Sequence, residues 1–226
     1  MNNKIPISYL FKYEDGTSTQ YDLILDGETL TPQEKTIDRP AWTELTVQQC
    51  ENCPLTAKTC SHCPLAMALQ PLITDFSNRS SYDTVNIIVT TTERITSTTT
   101  SLQRGLSSLL GLVMATSGCP HTTHLKPMAR FHLPFASEEE TIYRASANYL
   151  LAQYFKEKNK QDWQIKEFAE IYQQLQIVNR GISQRLKEVC TKDATVNAVV
   201  LLDLYAKDIP YCIEETLQEI KYLFNH

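Results

Sequence analysis

Two Cys-x-x-Cys pairs stand close together, Cys50-Glu51-Asn52-Cys53 and Cys60-Ser61-His62-Cys63, separated by six residues. Four thiolates so near in sequence can close one tetrahedron. Zinc accepts such a set because it is borderline-soft and has no d-electron preference for geometry. Cys50, Cys53, Cys60 and Cys63 are therefore the candidate zinc ligands. Pro54 and Pro64 follow the second cysteine of each pair, where a common zinc knuckle has glycine, because proline cannot adopt a positive φ. Proline suits the first turn of a helix instead, so a short helix over Pro64–Leu69, with Cys63 at its cap, is expected. Cys-Pro also ends some cluster-binding runs, which makes an iron–sulfur cluster the minor alternative, although those runs space their cysteines differently. His62 lies between two candidate ligands and could replace one. Simple packing is the competing explanation, since cysteine is often a small buried apolar residue.

A second region carries chemistry of another kind. From Arg94 to Ser137, 44 residues pass without an aspartate or glutamate, where the chain average gives about five. Arg94, Arg104, Lys126 and Arg130 make the stretch formally +4, and it holds His121, His124 and His132. In a chain of net charge −5 this is a local positive field. Its irregular centre runs into Ser137, where a helix N-terminus would favour an anion. Arg130, His132 and Lys126 are the candidate ligand-binding residues, with Arg130 able to grip a carboxylate or phosphate bidentately. Glu138, Glu139 and Glu140 compete for the same dipole, so internal pairing is the alternative. Cys119, with His121 or His124 as its base, is the candidate catalytic group, although a Cys-His dyad is a geometric property that spacing cannot test.

Other classes are excluded or disfavoured by what is missing. There is no P-loop, no dinucleotide glycine fingerprint and no His-Glu-x-x-His zinc-protease motif. An acidic chain of pI about 5.6 argues against a dedicated nucleic-acid binder. The longest largely apolar stretch, Gly105–Ala115, is far short of the roughly 20 residues of a membrane span. Residues 1–7 carry no apolar leader, so a cytoplasmic protein is expected. Seven cysteines in a reducing compartment point to metal ligands or reactive groups rather than disulfides.

The elements that must position these residues fall into two parts. Residues 1–96 read as β-rich, with the cysteine module at 50–63. Tyr9–Tyr13 and Tyr21–Leu25 suggest a hairpin around Glu14–Gln20. Val85, Ile87 and Val89 alternate as a further strand, expected to run on through the threonine-rich stretch towards Ile95. Residues 97–226 read as helical. Leu102 to Val113 repeat at three and four residues, and Ser137 with Glu140 forms a capping box for a helix reaching Lys156. Asp162 is expected to cap a helix with a stripe from Ile165 through Phe168, Tyr172, Leu175, Asn179, Ile182 and Leu186 to Val189. Asp193–Tyr205 reads as a central buried helix, and Asp208 with Pro210 as the start of a last one. Asn179, Asp193, Asn197 and Asp203 are expected to form a hydrogen-bonded core network. The fold class is α+β: a β-rich N-terminal part with a short cysteine module, followed by a mainly helical bundle, packed as one unit.

Cys50-Glu-Asn-Cys-Pro-Leu55, Cys63-Pro-Leu-Ala66, Thr116-Ser-Gly-Cys-Pro120 and Pro127-Met-Ala-Arg-Phe-His-Leu-Pro-Phe135 resemble an uncharacterised bacterial family, a domain of unknown function. The resemblance runs from about Trp42 through the C-terminal helices, including Tyr149–Phe155. It implies no activity. If Cys60 lies outside the family pattern, the four-thiolate site needs another ligand, and Cys119 or His62 are the candidates. Three functions are thus carried forward. The leading one is a cytosolic, metal-stabilised binding or regulatory module whose 116–137 loop meets a small anionic ligand or a protein partner. The second is an enzyme, using Cys119 with a histidine or a metal-dependent hydrolase-like site. The third is a structural homo-oligomer built on the Ile165–Val189 stripe.

Overall fold

A computed structural model of the chain describes residues 4–33, 38–156 and 165–224, with backbone only at 165–166, 208–214 and 216. Strand β1 (Lys4–Tyr13) alternates strictly, burying Ile5, Ile7, Tyr9, Phe11 and Tyr13. It pairs antiparallel with β2 (Ser18–Asp26). The hairpin turn is tighter than the expected connection, because Asp15 Oδ1 accepts the Thr17 amide at 2.8 Å and Gly16 takes a φ of 81°. Helix α1 (Pro64–Phe76) begins at the expected proline but continues through Pro71 to Phe76.

Strand β3 (Thr84–Thr91) pairs with the other side of β1, and β4 (Ile95–Ser101) pairs with β3. The sheet order is β2-β1-β3-β4, antiparallel throughout. The threonine-rich stretch therefore does not extend β3. It turns back at Thr91–Arg94, where the Thr91 amide donates to the Arg94 carbonyl, and forms its own edge strand as far as Ser101. The expected helical pattern from Ser97 is corrected there, since β-branched threonine fits a half-exposed strand better than a helix.

Helix α2 (Leu102–Thr116) follows at once and packs on the buried face of the sheet. A Cβ on Gly105 would collide with Ile87 Cδ1, so glycine lets α2 approach the strand this closely. Helices α3 (Lys126–Arg130), α4 (Glu138–Lys156), α5 (Ile165–Val189) and α6 (Ala194–Glu219) complete the chain, with short 3-10 turns at Ala41–Thr43, Thr123–Leu125 and Lys221–Phe224. The capping box forms as expected: the Glu140 amide donates to Ser137 Oγ at 3.1 Å, and the Ser137 amide donates to Glu140 Oε2 at 2.7 Å. The expected Asp162 cap lies outside the described residues. Helix α6 runs on past Asp208 and Pro210 without a break, so the separate last helix does not exist. It is not apolar all round in its burial either, because Val200 and Leu204 face outward.

The α5 stripe is consumed inside the chain. Val178, Ile182 and Leu186 join the main core with the sheet, α1 and α2, while Phe168, Tyr172 and Leu175 form a second cluster with Ile142, Ala145, Tyr149 and Ala206. The expected polar network divides. Asp193 is exposed and bonds Asn197 Nδ2 at 2.9 Å and the Ser81 amide and hydroxyl at 2.9 Å each, closing the start of α6 onto the β3 approach. Asn179 and Asp203 stand apart from it, and Asp203 Oδ1 is buried without a partner. The architecture is α+β. Among the described residues no helix is long and apolar enough to cross a membrane.

Candidate metal centre and ligand cavity

The cysteine module is held in place by α5. Arg185 is 1% exposed. Its Nη1 donates to the carbonyls of Trp42 and Glu44 at 2.8 and 2.7 Å, and its Nη2 to Leu45 at 3.0 Å. The segment so fixed then grips the second Cys pair. The Leu45 amide donates to Ser61, the Cys63 amide to Thr43 at 2.8 Å, and Thr43 Oγ1 shares a 2.9 Å bond with His62 Nδ1. His62 is therefore engaged with the 41–45 segment. Gly181 faces the first pair, where any Cβ would stand 2.7 Å from Cys50 Sγ. The missing side chain lets α5 close over the module. Asn52 completes the seal, donating from Nδ2 to the Gln174 carbonyl and side chain.

The Cys119 loop reaches the same place from α2. Gly118 takes a φ of 84°, a conformation that favours glycine and ends the helix. Its Cβ position lies 4.0 Å from Pro64, at the start of α1. His121 Nε2 is hydrogen-bonded to the Asn52 carbonyl at 2.7 Å, so the loop docks on the first Cys-x-x-Cys. Cys50 thus has Cys53, Cys63 and Cys119 as electrostatic neighbours. Burial first, then those three thiols, push its pKa up to about 11, opposed by the Arg185 cation. Burial also raises the Cys119 thiol, opposed by hydrogen bonds from the His121 and Thr122 backbones.

Cys60 Sγ donates to the His62 carbonyl within the second pair. Cys53, Cys63 and Cys119, from three segments, are electrostatic neighbours of Cys50. Among the described residues no three His, Cys, Asp or Glu side chains are already arranged to hold a metal ion. The four sulfurs are neighbours without a closed ligand set.

The other sequence candidates scatter. Lys126 Nζ bonds the Thr29 carbonyl at 2.8 Å, and Arg130 lies over the Phe131 ring. Glu140 occupies the N-terminus of α4 through the capping box, so that end receives an internal carboxylate rather than an external anion. His124 is exposed beside His121, Cys119 and His121 face the cysteine module, and His132 bonds Tyr9. Cys119, His121, His124, Arg130 and His132 do not converge on one pocket. Burial raises the Cys119 thiol, the opposite direction from that of an activated nucleophile.

His132 does reach a cavity, which the sequence did not disclose. A cavity of about 200 Å³ lies on the seam between the two hydrophobic clusters, walled by α2, the 125–136 segment, α4, α5 and α6. Tyr9 Oη holds one wall, sharing bonds with Ser108 Oγ at 3.0 Å and His132 Nε2 at 2.5 Å. Burial holds the His132 pKa down to about 4, with the Arg144 charge adding to it, so the imidazole is neutral at pH 7. Helical periodicity could have pointed to Arg144, Tyr172 and Asn179 only as members of helix faces, because the cavity exists where two clusters fail to merge.

The chain matches, over residues 7–225, a family described as a domain of unknown function, DUF6901. No curated protein and no solved structure matches it. The chain belongs to that family.

Proposed function

We propose that this DUF6901 member is a binding module whose fold is stabilised by a zinc ion held on Cys50, Cys53, Cys63 and Cys119. One observation carries the reading: Cys53, Cys63 and Cys119, from three separate segments, and the buried Arg185 guanidinium are all electrostatic neighbours of Cys50. Arg185 donates only to neutral carbonyls, and among the described residues the single ion pair is Arg79–Asp15. A buried cation is costly without nearby negative charge. Zinc held by four thiolates carries a net charge of about −2 and supplies that compensation.

The exchange of Cys60 for Cys119 makes the test specific. Metal analysis of protein purified without added metal is expected to give about one zinc per chain, in the wild type and in Cys60→Ser alike. Cys119→Ser and Cys63→Ser are expected to fall below about half an equivalent. Less than half an equivalent in the wild type overturns the reading. Retention in Cys119→Ser with loss in Cys60→Ser restores the contiguous Cys-x-x-Cys pair instead. Iron with visible absorbance would replace zinc by a cluster.

A further inference from the structure

We infer that the cavity between α2, α4, α5 and α6 binds a small amphipathic carboxylate, its apolar part against the leucines and its carboxylate on Arg144, Tyr172 and Asn179. This rests on the binding half of the proposed function and not on the metal.

Leu112, Ala115, Met128, Leu133, Leu175 and Leu202 are among the apolar residues that line the space. A wall of that composition selects an apolar ligand, and a volume of about 200 Å³ somewhat exceeds that of a cavity known to accept benzene, roughly 150 Å³. One ring or a chain of about eight carbons fits.

The polar groups select the other end. Arg144 is half-buried. Its Nη2 donates to the carbonyls of Met128 and Phe131 at 3.2 and 2.7 Å, which fixes the guanidinium. Its Nε and Nη1 make no hydrogen bond among the described residues, and no carboxylate lies within ion-pair distance there, although Glu140, held on the Ser137 amide, is close enough to favour its charge. Tyr172 is 6% exposed and Asn179 4%. Neither side chain makes a hydrogen bond among the described residues, although buried polar groups ordinarily do. Both line the cavity with Arg144, and Tyr172 is close enough to Arg144 for their charges to interact. A forked guanidinium, a hydroxyl and an amide match the two oxygens of one carboxylate.

Among the described residues the lining contains no aspartate or glutamate, and Arg104 adds a second cation to it. An amine is therefore repelled. A neutral alcohol of the same shape offers one oxygen and no charge, and so meets fewer of the free donors of Arg144 and of the polar atoms of Tyr172 and Asn179 than a carboxylate does.

Calorimetric titration of the full-length protein with octanoate, octan-1-ol and octylamine tests the inference, with metal content measured on the same preparation. Octanoate is expected to bind at least about tenfold tighter than octan-1-ol, and octylamine weakest. Arg144→Gln is expected to remove that tenfold preference while octan-1-ol binding persists, a change that a general loss of packing would not produce. Because Arg144 also braces the 128–131 turn, Asn179→Leu provides a second variant with the same expected loss of preference. Leu175→Trp fills the cavity and is expected to abolish binding of both ligands. Octanoate binding weaker than about 1 mM, equal affinity for octanoate and octan-1-ol, or a preference that survives both Arg144→Gln and Asn179→Leu overturns the inference. Octanoate binding by metal-free protein sustains it and overturns only the zinc.

Discussion

Arg185 is the residue on which the cysteine module hangs, and its replacement has a calculable consequence. The side chain is 1% exposed and makes three bonds to carbonyls more than a hundred residues away. Arg185→Met keeps the length of the stem and removes the fork. Three acceptors then lose their donor, and each buried unsatisfied carbonyl costs about 1–3 kcal/mol. Against this, the variant no longer buries a charge, including a guanidinium Nε that has no partner. The balance is a net loss on the order of 3 kcal/mol. That is a large share of a typical 5–15 kcal/mol. Arg185→Lys places one charged nitrogen where two were used and is expected to recover only part of the loss. Urea unfolding followed by circular dichroism gives the global value. Hydrogen exchange gives the local one: the Leu45 and Cys63 amides, bonded to Ser61 and Thr43, are expected to lose protection first. If Arg185→Met unfolds within about 1 kcal/mol of the wild type and those amides stay protected, the clamp carries no stability.

The close approach of α2 to the sheet predicts coupling. Gly105→Ala gains about 1 kcal/mol of helix propensity but collides with Ile87 Cδ1, an overpacking cost of about 1–3 kcal/mol. Ile87→Val removes that atom at a cost of about 1 kcal/mol. The double variant is expected to be more stable than the sum of the two by at least about 0.5 kcal/mol, and additivity in chemical denaturation refutes the contact. The third expectation concerns acid. The His132 pKa in the folded protein is held down to about 4, below the ordinary value of about 6.5. Between those values the unfolded chain binds more protons, so stability is present above about pH 6.5 and lost as pH falls towards 4, by on the order of 3 kcal/mol. His132→Gln is expected to flatten that part of the stability–pH curve. An unchanged slope across pH 4–6.5 places the acid sensitivity elsewhere.

Sequence alone determined the features that depend on neighbouring residues. Alternation in β1 and β3, the Ser137–Glu140 capping box and the continuous α5 stripe are periodic or local patterns, and all appear in the structure. Its misreadings arose where local preference yields to context. Pro71 and Pro210 sit inside helices, and the threonines of β4 follow their pairing with β3 rather than the helical pattern after them. The four-cysteine spacing was legible, but the arrival of a further thiol beside it was not. Cys119 comes from the far end of α2 because Gly118 turns the chain and His121 docks on Asn52. The cavity is wholly tertiary. Arg144, Tyr172 and Asn179 read as separate members of two helix faces, and they share a site only because two hydrophobic clusters meet without merging. Chain distance sets the cost of bringing groups together. The packing of helices, which obeys side-chain shape summed over the whole molecule, decides where they end up.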